Sequence, residues 1–296
     1  MKLLTVRHAT IYRYAEPVRL GEHRLMLRPR DSHDLRLVDS TLALSPSGTV
    51  RWRHNVFGNS VAVVAFAEMA TELRIVSTLT LERYAMDRLD FPVAEEAATY
   101  PFIYSNDDRS DLGRLLEQHY PDAEGVVTGW ARQFIDRKGI DTLELLAAMN
   151  SAVRSDFSYV RREEEGTQSP VDTIERGSGS CRDFALLFIE AARCLGFGAR
   201  FVSGYIYDPR AEADRDIAGG GATHAWADIY LPGAGWIEYD PTNGLIAEEN
   251  LIRVAVARYP SQAVPVSGSF IGTRASYLGL EVEVTVTSKA QSQAAR

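Results

Sequence analysis

The stretch ERGSGSCRDFALLFIEAARCLGFGARF, residues 175–201, changes from glycine and serine to a helical repeat within a few positions. Residues 177–180 are of the types that favour turns and helix N-caps, and the apolar residues that follow recur three and four positions apart. Gly196 then provides a natural end to the helix. The pattern predicts a largely buried helix that carries Cys181 in its first turn.

A cysteine in the first turn of a helix has a distinct chemical environment. The unpaired N–H groups and the positive end of the helix favour the thiolate form of Cys181, and the same N–H groups can stabilise a developing oxyanion. Asp183 is expected to complement the positive helix end. The competing interpretation is that Cys181 is a small buried hydrophobic residue, which is the commoner role of cysteine.

The second cysteine, Cys194, serves as an internal comparison. It follows Cys181 by 13 residues, which is about 20 Å along a helix that rises about 1.5 Å per residue. The two thiols are therefore too far apart for a disulfide, and no glycine-rich turn precedes Cys194. We predict that Cys194 is a core residue.

His224 is the strongest candidate for a general base, because no other histidine follows His119. It opens the stretch HAWADIYL, and the turn PGAG then leads to GWIEYDP. A hairpin centred on Gly233 makes His224 and Asp240 diagonal neighbours on one face, and the next register of the same facing places them directly opposite each other. In both registers Asp240 can orient the imidazole and stabilise its protonated form. A satisfied strand histidine and a turn-initiating Asp-Pro are the ordinary alternatives.

Residues 1–105 have the pattern of β structure. Short runs rich in β-branched and aromatic residues are separated by turn residues; they are VRHATIYRYA, HRLMLRPR, LRLVDSTLALSP, TVRWRHNVFGN, SVAVVAFAE and ELRIVSTLTLERYA. This spacing predicts an antiparallel sandwich. Further along the period becomes helical, and Asp141 followed by Glu144 predicts the N-cap of a helix that contains Leu145 and Met149.

The segments GSGSCRDFALLFIEAARCLGFGARFVSGYIYD, THAWADIYLPGAGW and IEYDPTNG resemble the transglutaminase-like superfamily of papain-like folds. In that family a Cys at a helix start, a His at a strand start and an Asp before Pro-Thr form the catalytic triad, and the match falls on Cys181, His224 and Asp240. The N-terminal third, with YRYAEPV, HRLMLRPR and VFGNSV, looks like the β domain that precedes the core in bacterial members.

The expected fold is therefore α+β. An N-terminal antiparallel β-sandwich-like domain covers residues 1–105, and a papain-like core of helices packed on an antiparallel sheet covers residues 106–296. The C-terminal strands, including GLEVEVTVTS, are grouped with this core.

The resemblance implies acyl transfer through a thioester. The Cys181 thiolate would attack a glutamine carboxamide or a peptide carbonyl, and His224 would protonate the leaving group. An amine acceptor gives transglutamination, and water gives deamidation or proteolysis; hydrolysis is favoured because nothing in the sequence supplies an amine-binding site. The Cys181 N–H is expected as one oxyanion donor, with Gln168, Trp226 and Tyr159 as candidates for the second. The alternative function is a catalytically silent binding or assembly module.

The composition limits the classes of molecule that this protein is expected to bind. Asp and Glu number 40 against 32 Lys and Arg, for a net charge of −8, so nothing indicates nucleic acid or an anionic membrane as a partner. The start of the sequence lacks a secretory pattern, no apolar run reaches the roughly 18 residues of a membrane span, and two cysteines make no disulfide framework. We expect a cytoplasmic enzyme that acts on a protein or peptide, and the oligomeric state is left open.

A long acidic loop precedes His224. Residues 208–223, DPRAEADRDIAGGGAT, contain three glycines and are predicted to form a mobile flap. Their acids lack the ligand spacing of an EF-hand, and no CxxC or HExxH occurs in the chain. We therefore expect no metal site and no cofactor.

Overall fold

A computed structural model describes residues 1–84, 91–162, 165–207, 223–247 and 250–289. The predicted flap at 208–223 lies, except for its last residue, outside the described residues. Among the helices of these ranges, none has the length and apolar character needed to cross a membrane.

Strands dominate the first part of the chain, and helices enter in the middle. The first six strands are β1 (Lys2–Leu20), β2 (His23–Leu25), β3 (Leu35–Ser45), β4 (Gly48–His54), β5 (Ser60–Phe66) and β6 (Met69–Arg83). The middle contains β7 (Thr99–Tyr100), α1 (Asn106–Leu112), α2 (Val126–Arg132), β8 (Ile140–Asp141), α3 (Thr142–Asp156), β9 (Ser158–Tyr159), α4 (Pro170–Arg176), β10 (Ser178–Gly179) and α5 (Cys181–Cys194). The last strands are β11 (Gly198–Ile206), β12 (His224–Leu231), β13 (Gly235–Asp240), β14 (Leu245–Ile246), β15 (Leu251–Ala257), β16 (Val266–Ser267), β17 (Phe270–Ile271) and β18 (Tyr277–Lys289).

The N-terminal part is built from two antiparallel sheets, as the sequence predicts. One sheet joins β3, β6 and β1, and the other has the order β16-β2-β5-β4. Alternate residues of these strands point inward because successive side chains of a strand face opposite sides. The apolar layer between the sheets consists of Tyr14, Val18, Leu20, Leu25, Leu27, Ala62, Val64, Leu73 and Ile75.

The last strand, β18, returns to this N-terminal sheet. It pairs antiparallel with β1, from Leu3 opposite Lys289 to Tyr14 opposite Tyr277. The sequence interpretation grouped this strand with the catalytic core, and the pairing places it beside β1 instead. The reason is that β1 has an unpaired edge opposite β6, which a second alternating strand can fill with backbone hydrogen bonds. The division of the chain near residue 105 stays a prediction.

The core is a five-stranded antiparallel sheet of order β14-β13-β12-β11-β15, with α5 packed against β12 and β11. Ala225 and Ala227 of β12 join the apolar cluster of α5, while Trp226 between them packs with Phe57 of the N-terminal part. Residues of the N-terminal part therefore contact the core sheet on both sides, since Phe57 packs against both clusters. This arrangement confirms the α+β expectation.

Candidate active site

Cys181 is the first residue of α5 and is 8% exposed. The preceding strand β10 pairs in parallel with β9, which places Gly179 beside Tyr159. A Cβ at Gly179 would lie 2.9 Å from the Asp183 Cβ, so the approach to the helix requires glycine at this position. The first N–H groups of α5 have no partner within the helix, as expected for a helix N-terminus.

Asp183 holds this helix start in place. Its buried carboxylate accepts hydrogen bonds from the backbone N–H and the hydroxyl of Ser180, both at 2.8 Å. It also accepts from the Gln168 N–H at 2.7 Å and from the Arg162 guanidinium at 2.9 and 3.1 Å. Asp183 thus does more than complement the helix end, because it ties two preceding segments to the turn that carries Cys181.

We expect Asp183→Ala to lower the free energy of unfolding by about 3–5 kcal/mol, since it removes a fully buried carboxylate that accepts hydrogen bonds from a guanidinium, a hydroxyl and two backbone N–H groups. Asp172→Ala is the matched control, because Asp172 fills the same capping position of α4 against Ser169 but is only half-buried. The control should cost about 1 kcal/mol. Urea unfolding compares the two variants, and equal losses would contradict the role given to Asp183.

The hairpin β12–β13 brings His224 to Asp240. Ala227 pairs with Tyr239 and Asp228 with Glu238, which is the register centred on Gly233. His224 and Asp240 are therefore diagonal neighbours, and His224 Nε2 lies 2.8 Å from Asp240 Oδ2 with both side chains fully buried. Of the two registers allowed by the sequence, the diagonal one is correct.

Asp240 is held as a carboxylate by donors from the turn that follows it. Its Oδ1 accepts from the backbone N–H groups of Thr242 and Asn243, and its Oδ2 accepts from Asn243 Nδ2 at 2.8 Å. Burial raises the pKa of a carboxyl, yet the charge of His224 and these hydrogen bonds lower the pKa of Asp240. Asn243 was not among the residues predicted from the sequence, although an Asp-Pro-x-Asn turn is a pattern that could have indicated it.

Of the two ring nitrogens of His224, Nδ1 is the one available to interact with the Cys181 thiol. Nε2 is taken by Asp240, and the buried Nδ1 makes no ordinary hydrogen bond to the described residues. Burial lowers the pKa of an imidazole, but Asp240 and the nearby Cys181 outweigh it and raise the pKa of His224 to about 10. The arrangement favours an imidazolium at His224, close to Cys181.

Comparisons with known proteins agree with this geometry. Residues 4–82 match the family described as the bacterial transglutaminase-like N-terminal region, and residues 128–241 match the transglutaminase-like superfamily. The second match spans Cys181, His224 and Asp240. The chain belongs to the transglutaminase-like superfamily. The family resemblance seen in the sequence is confirmed.

Relatives of this superfamily member extend over nearly its whole length. An uncharacterized protein of Mycobacterium leprae is 24% identical over 95% of this chain and 98% of its own. One of Mycobacterium tuberculosis is 28% identical, over 95% and 91%. A solved structure from Cytophaga hutchinsonii, described as a candidate cysteine protease, has a TM-score of 0.71 at 18% identity and covers 98% of this chain and 92% of its own. At that identity the likeness shows the fold alone.

The three candidates for the second oxyanion donor differ in whether their N–H or O–H groups already donate a hydrogen bond within the protein. Tyr159 is 37% exposed, burial raises the pKa of its hydroxyl, and the pairing of β9 with β10 places it beside Gly179, two residues before Cys181. One amide N–H of Gln168 donates to the Ser178 carbonyl at 2.9 Å. The indole N–H of Trp226 points to Glu238 at 3.3 Å, which argues against Trp226 as an oxyanion donor. The role stays a prediction for Tyr159 and Gln168.

Cys194 lies at the edge of the core of this transglutaminase-like domain and is half-buried, whereas the sequence predicts a core position. Its sulfur lies 2.7 Å from Gln118 Nε2 and 3.5 Å from Thr128 Oγ1. Burial raises the pKa of the Cys194 thiol. Because no histidine of the described residues is a hydrogen-bond partner of Cys194, this thiol is a reference for Cys181 within the same helix.

No group of three or more His, Cys, Asp and Glu side chains suited to a metal ion occurs in the described ranges.

Proposed function

We propose that this transglutaminase-like chain is a cysteine hydrolase or acyltransferase that acts on a protein or peptide amide. The observation that carries the proposal is the buried His224–Asp240 pair, 2.8 Å apart, next to a cysteine at the start of a helix. Together the side chains of α5, β12 and β13 supply the three groups that activate a thiol nucleophile in triad enzymes, and this supports the proposal.

The reaction follows from the positions of these groups. The Cys181 thiolate attacks the amide carbon, and the developing oxyanion lies at the helix start, where the Cys181 N–H can donate. The C–N bond then breaks as His224 gives its proton to the leaving nitrogen, which leaves a thioester on Cys181. Water next attacks the thioester as His224 takes its proton; the C–S bond breaks, and the thiolate and the imidazolium are regenerated.

Hydrolysis is the outcome that we favour over cross-linking to an amine. Water is available at any partly open thiol, whereas transglutamination needs a second site that binds an amine. We propose a protein or peptide as the partner, and the cytoplasm as the location remains a prediction. A silent binding module is the competing function, and an activated thiol distinguishes the two.

We expect iodoacetamide at about pH 6 to label Cys181 much faster than Cys194, because an ordinary thiol with a pKa near 8.5 is almost wholly protonated there. Both rates come from one sample by peptide mass spectrometry, so Cys194 is the control. His224→Ala should slow the labelling of Cys181 alone. Equal rates at the two cysteines, or no effect of His224→Ala, would remove the support for an enzyme.

A second experiment identifies which of the three acyl-transfer reactions the enzyme catalyses. A mixture of glutamine-containing proteins is incubated with the enzyme in water and, separately, with hydroxylamine, and the products are identified by mass spectrometry. Chain cleavage, deamidation and hydroxamate formation distinguish proteolysis, glutamine hydrolysis and transfer to an amine. We expect hydrolysis products in water, and products formed only with hydroxylamine would contradict the preference for hydrolysis.

A further inference from the structure

Six charged residues lie on the sheet face between the core and the N-terminal domain, and we call them the interface charge layer. This layer includes three acids and three bases, and its members are Asp34, Arg83, Arg200, Asp228, Glu238 and Arg253. Asp34 and Arg83 come from the N-terminal domain, and the others come from the core sheet. The same sheet face carries His224 and Asp240, since even-numbered residues of β12 and β13 point to one side.

One contact joins this layer to the candidate base. The indole Nε1 of Trp226 donates to Glu238 Oε1 at 3.3 Å, and the Trp226 ring stacks on the His224 ring with 5.9 Å between centroids and 29° between planes. Trp226 is fully buried, and its Cη2 atom uses the space left by the missing side chain of Gly204, 2.7 Å from where a Cβ would be. The indole ring therefore lies against Gly204, the Glu238 carboxyl and the His224 imidazole.

Glu238 is the member of the layer that connects the two domains to Trp226. Arg253 lies 3.6 Å from Glu238 and 3.8 Å from Asp34, and Asp34 also pairs with Arg83. The neighbouring carboxylate, Asp228, pairs instead with Arg200 at 2.8 Å. Of the two carboxylates paired across the hairpin, only Glu238 has a hydrogen bond with Trp226 in the described structure.

We propose that Glu238 is a positioning residue for the base: it accepts the Trp226 hydrogen bond, fixes the ring against which His224 packs, and through Arg253 ties that contact to Asp34 of the N-terminal domain. The inference rests on the proposed function, because His224 is a base only in an active enzyme. Glu238 acts through Trp226 and does not itself reach the reacting atoms.

The carboxyl of Glu238 can serve as acceptor whether or not it is charged. Burial and the charge of Asp228 raise its pKa to about 7, against the opposing charges of Arg253 and Arg83. A small cavity of about 10 Å³ beside Glu238 and Arg253 has room for about one water molecule, which can accommodate a proton on the carboxyl. Glutamine should therefore replace glutamate here, whereas leucine should not.

The test compares the labelling rate of Cys181 by iodoacetamide at about pH 6 among folded variants. We expect Glu238→Leu to slow labelling about 10-fold, since misplacing a catalytic group by about 1 Å can cost up to about 100-fold. Glu238→Gln should restore a rate within about 3-fold of the wild type, because its amide oxygen still accepts the hydrogen bond. Asp228→Asn is the matched control: it changes the paired carboxylate and should lower the melting temperature while leaving the labelling rate unchanged.

Trp226→Phe supplies an independent measurement that keeps a ring but removes the N–H. It should slow labelling as Glu238→Leu does, and the double variant should be no slower than the slower single one, because both remove the same contact. The proposal is overturned if the rate reductions of the two single variants multiply in the double variant. It is also overturned if Cys181 of Glu238→Leu is labelled as fast as that of the wild type, or if Asp228→Asn slows labelling as much as Glu238→Leu does. If Glu238→Leu does not fold, Trp226→Phe decides, and an unchanged rate in that variant overturns the proposal.

The two proposals fail in different ways. A wild-type protein in which Cys181 reacts no faster than Cys194 contradicts the proposed function itself. A wild-type protein with fast labelling of Cys181 that is insensitive to Glu238 and Trp226 contradicts only the positioning role.

Discussion

Cys181→Ala is expected to abolish amide turnover, with kcat falling about 10⁶-fold, the scale on which nucleophile and base act as one unit in triad enzymes. No other described thiol can take its place, because Cys194 lies at the far end of α5. The measurement is product formation on whichever substrate the hydroxylamine experiment identifies. Intact-mass analysis should also show a trapped acyl adduct on the wild type and none on Cys181→Ala.

Cys194→Ala is the control for this prediction. It removes the other thiol of the same helix, and we expect turnover within about 2-fold of the wild type since it touches no group of the site. The nonadditivity of the site adds a second check: Cys181→Ala combined with His224→Ala should be no worse than Cys181→Ala alone. Turnover that survives in Cys181→Ala, or that is lost in Cys194→Ala, contradicts the assigned nucleophile.

Asp240→Asn is expected to lower kcat about 10⁴-fold while the protein stays folded, as in triads whose orienting carboxylate becomes an amide. Without the carboxylate, the largest influence that opposes burial is removed, so the pKa of His224 falls and the imidazolium that stabilises the thiolate is lost. Labelling of Cys181 at about pH 6 should therefore slow sharply and recover at alkaline pH. A labelling profile that matches the wild type contradicts this role.

Asn243→Ala is the matched control for Asp240. It removes one hydrogen bond to the carboxylate and leaves the charge, so the loss of activity should be about 10-fold, close to the worth of a single hydrogen bond to a charged group. A loss as large as that of Asp240→Asn would show that geometry, and not charge, sets the role of Asp240.

The same pair makes stability depend on pH in a defined direction. The pKa of His224 is raised to about 10, so its contribution is fully present below the unfolded value of about 6.5 and is lost as pH rises toward 10. The pKa of Asp240 is lowered, so its contribution is present above about 3.9 and is lost as pH falls through its folded value. The stability difference between the wild type and Asp240→Asn should be greatest between about pH 4 and 6.5.

Local patterns in the sequence predicted the parts of the site that depend on near neighbours. The glycine-serine turn and the helical repeat predicted Cys181 in the first turn of a helix, and in the structure it is the first residue of α5. The Asp141 N-cap is confirmed, since its carboxylate accepts from the Glu144 N–H at 2.8 Å. The hairpin turn restricted the pairing of His224 and Asp240 to two registers, because facing alternates with every residue.

These local patterns could not predict contacts between segments that are far apart in the sequence. Nothing in the spacing indicated that Arg162 and Gln168 would share the carboxylate of Asp183, which the sequence analysis treated as a helix-end charge. Likewise, Trp226 was predicted as a candidate oxyanion donor, but in the structure its indole N–H donates to Glu238. Each of these polar groups satisfies its hydrogen bonds with whichever partner the fold brings near, and a buried group must find one.

In the sequence by itself, the resemblance of three motifs identified the family. Caps, turns and periodicity, which act within a few residues, predicted the mixture of strands and helices and the three side chains of the candidate triad. The tertiary structure alone decided that β18 completes the N-terminal sheet and that Asp34, which pairs with Arg83, meets Arg253 and through it Glu238. Strand edges and buried charges are matched only when the sheets pack, so their partners depend on the assembled fold and not on sequence spacing.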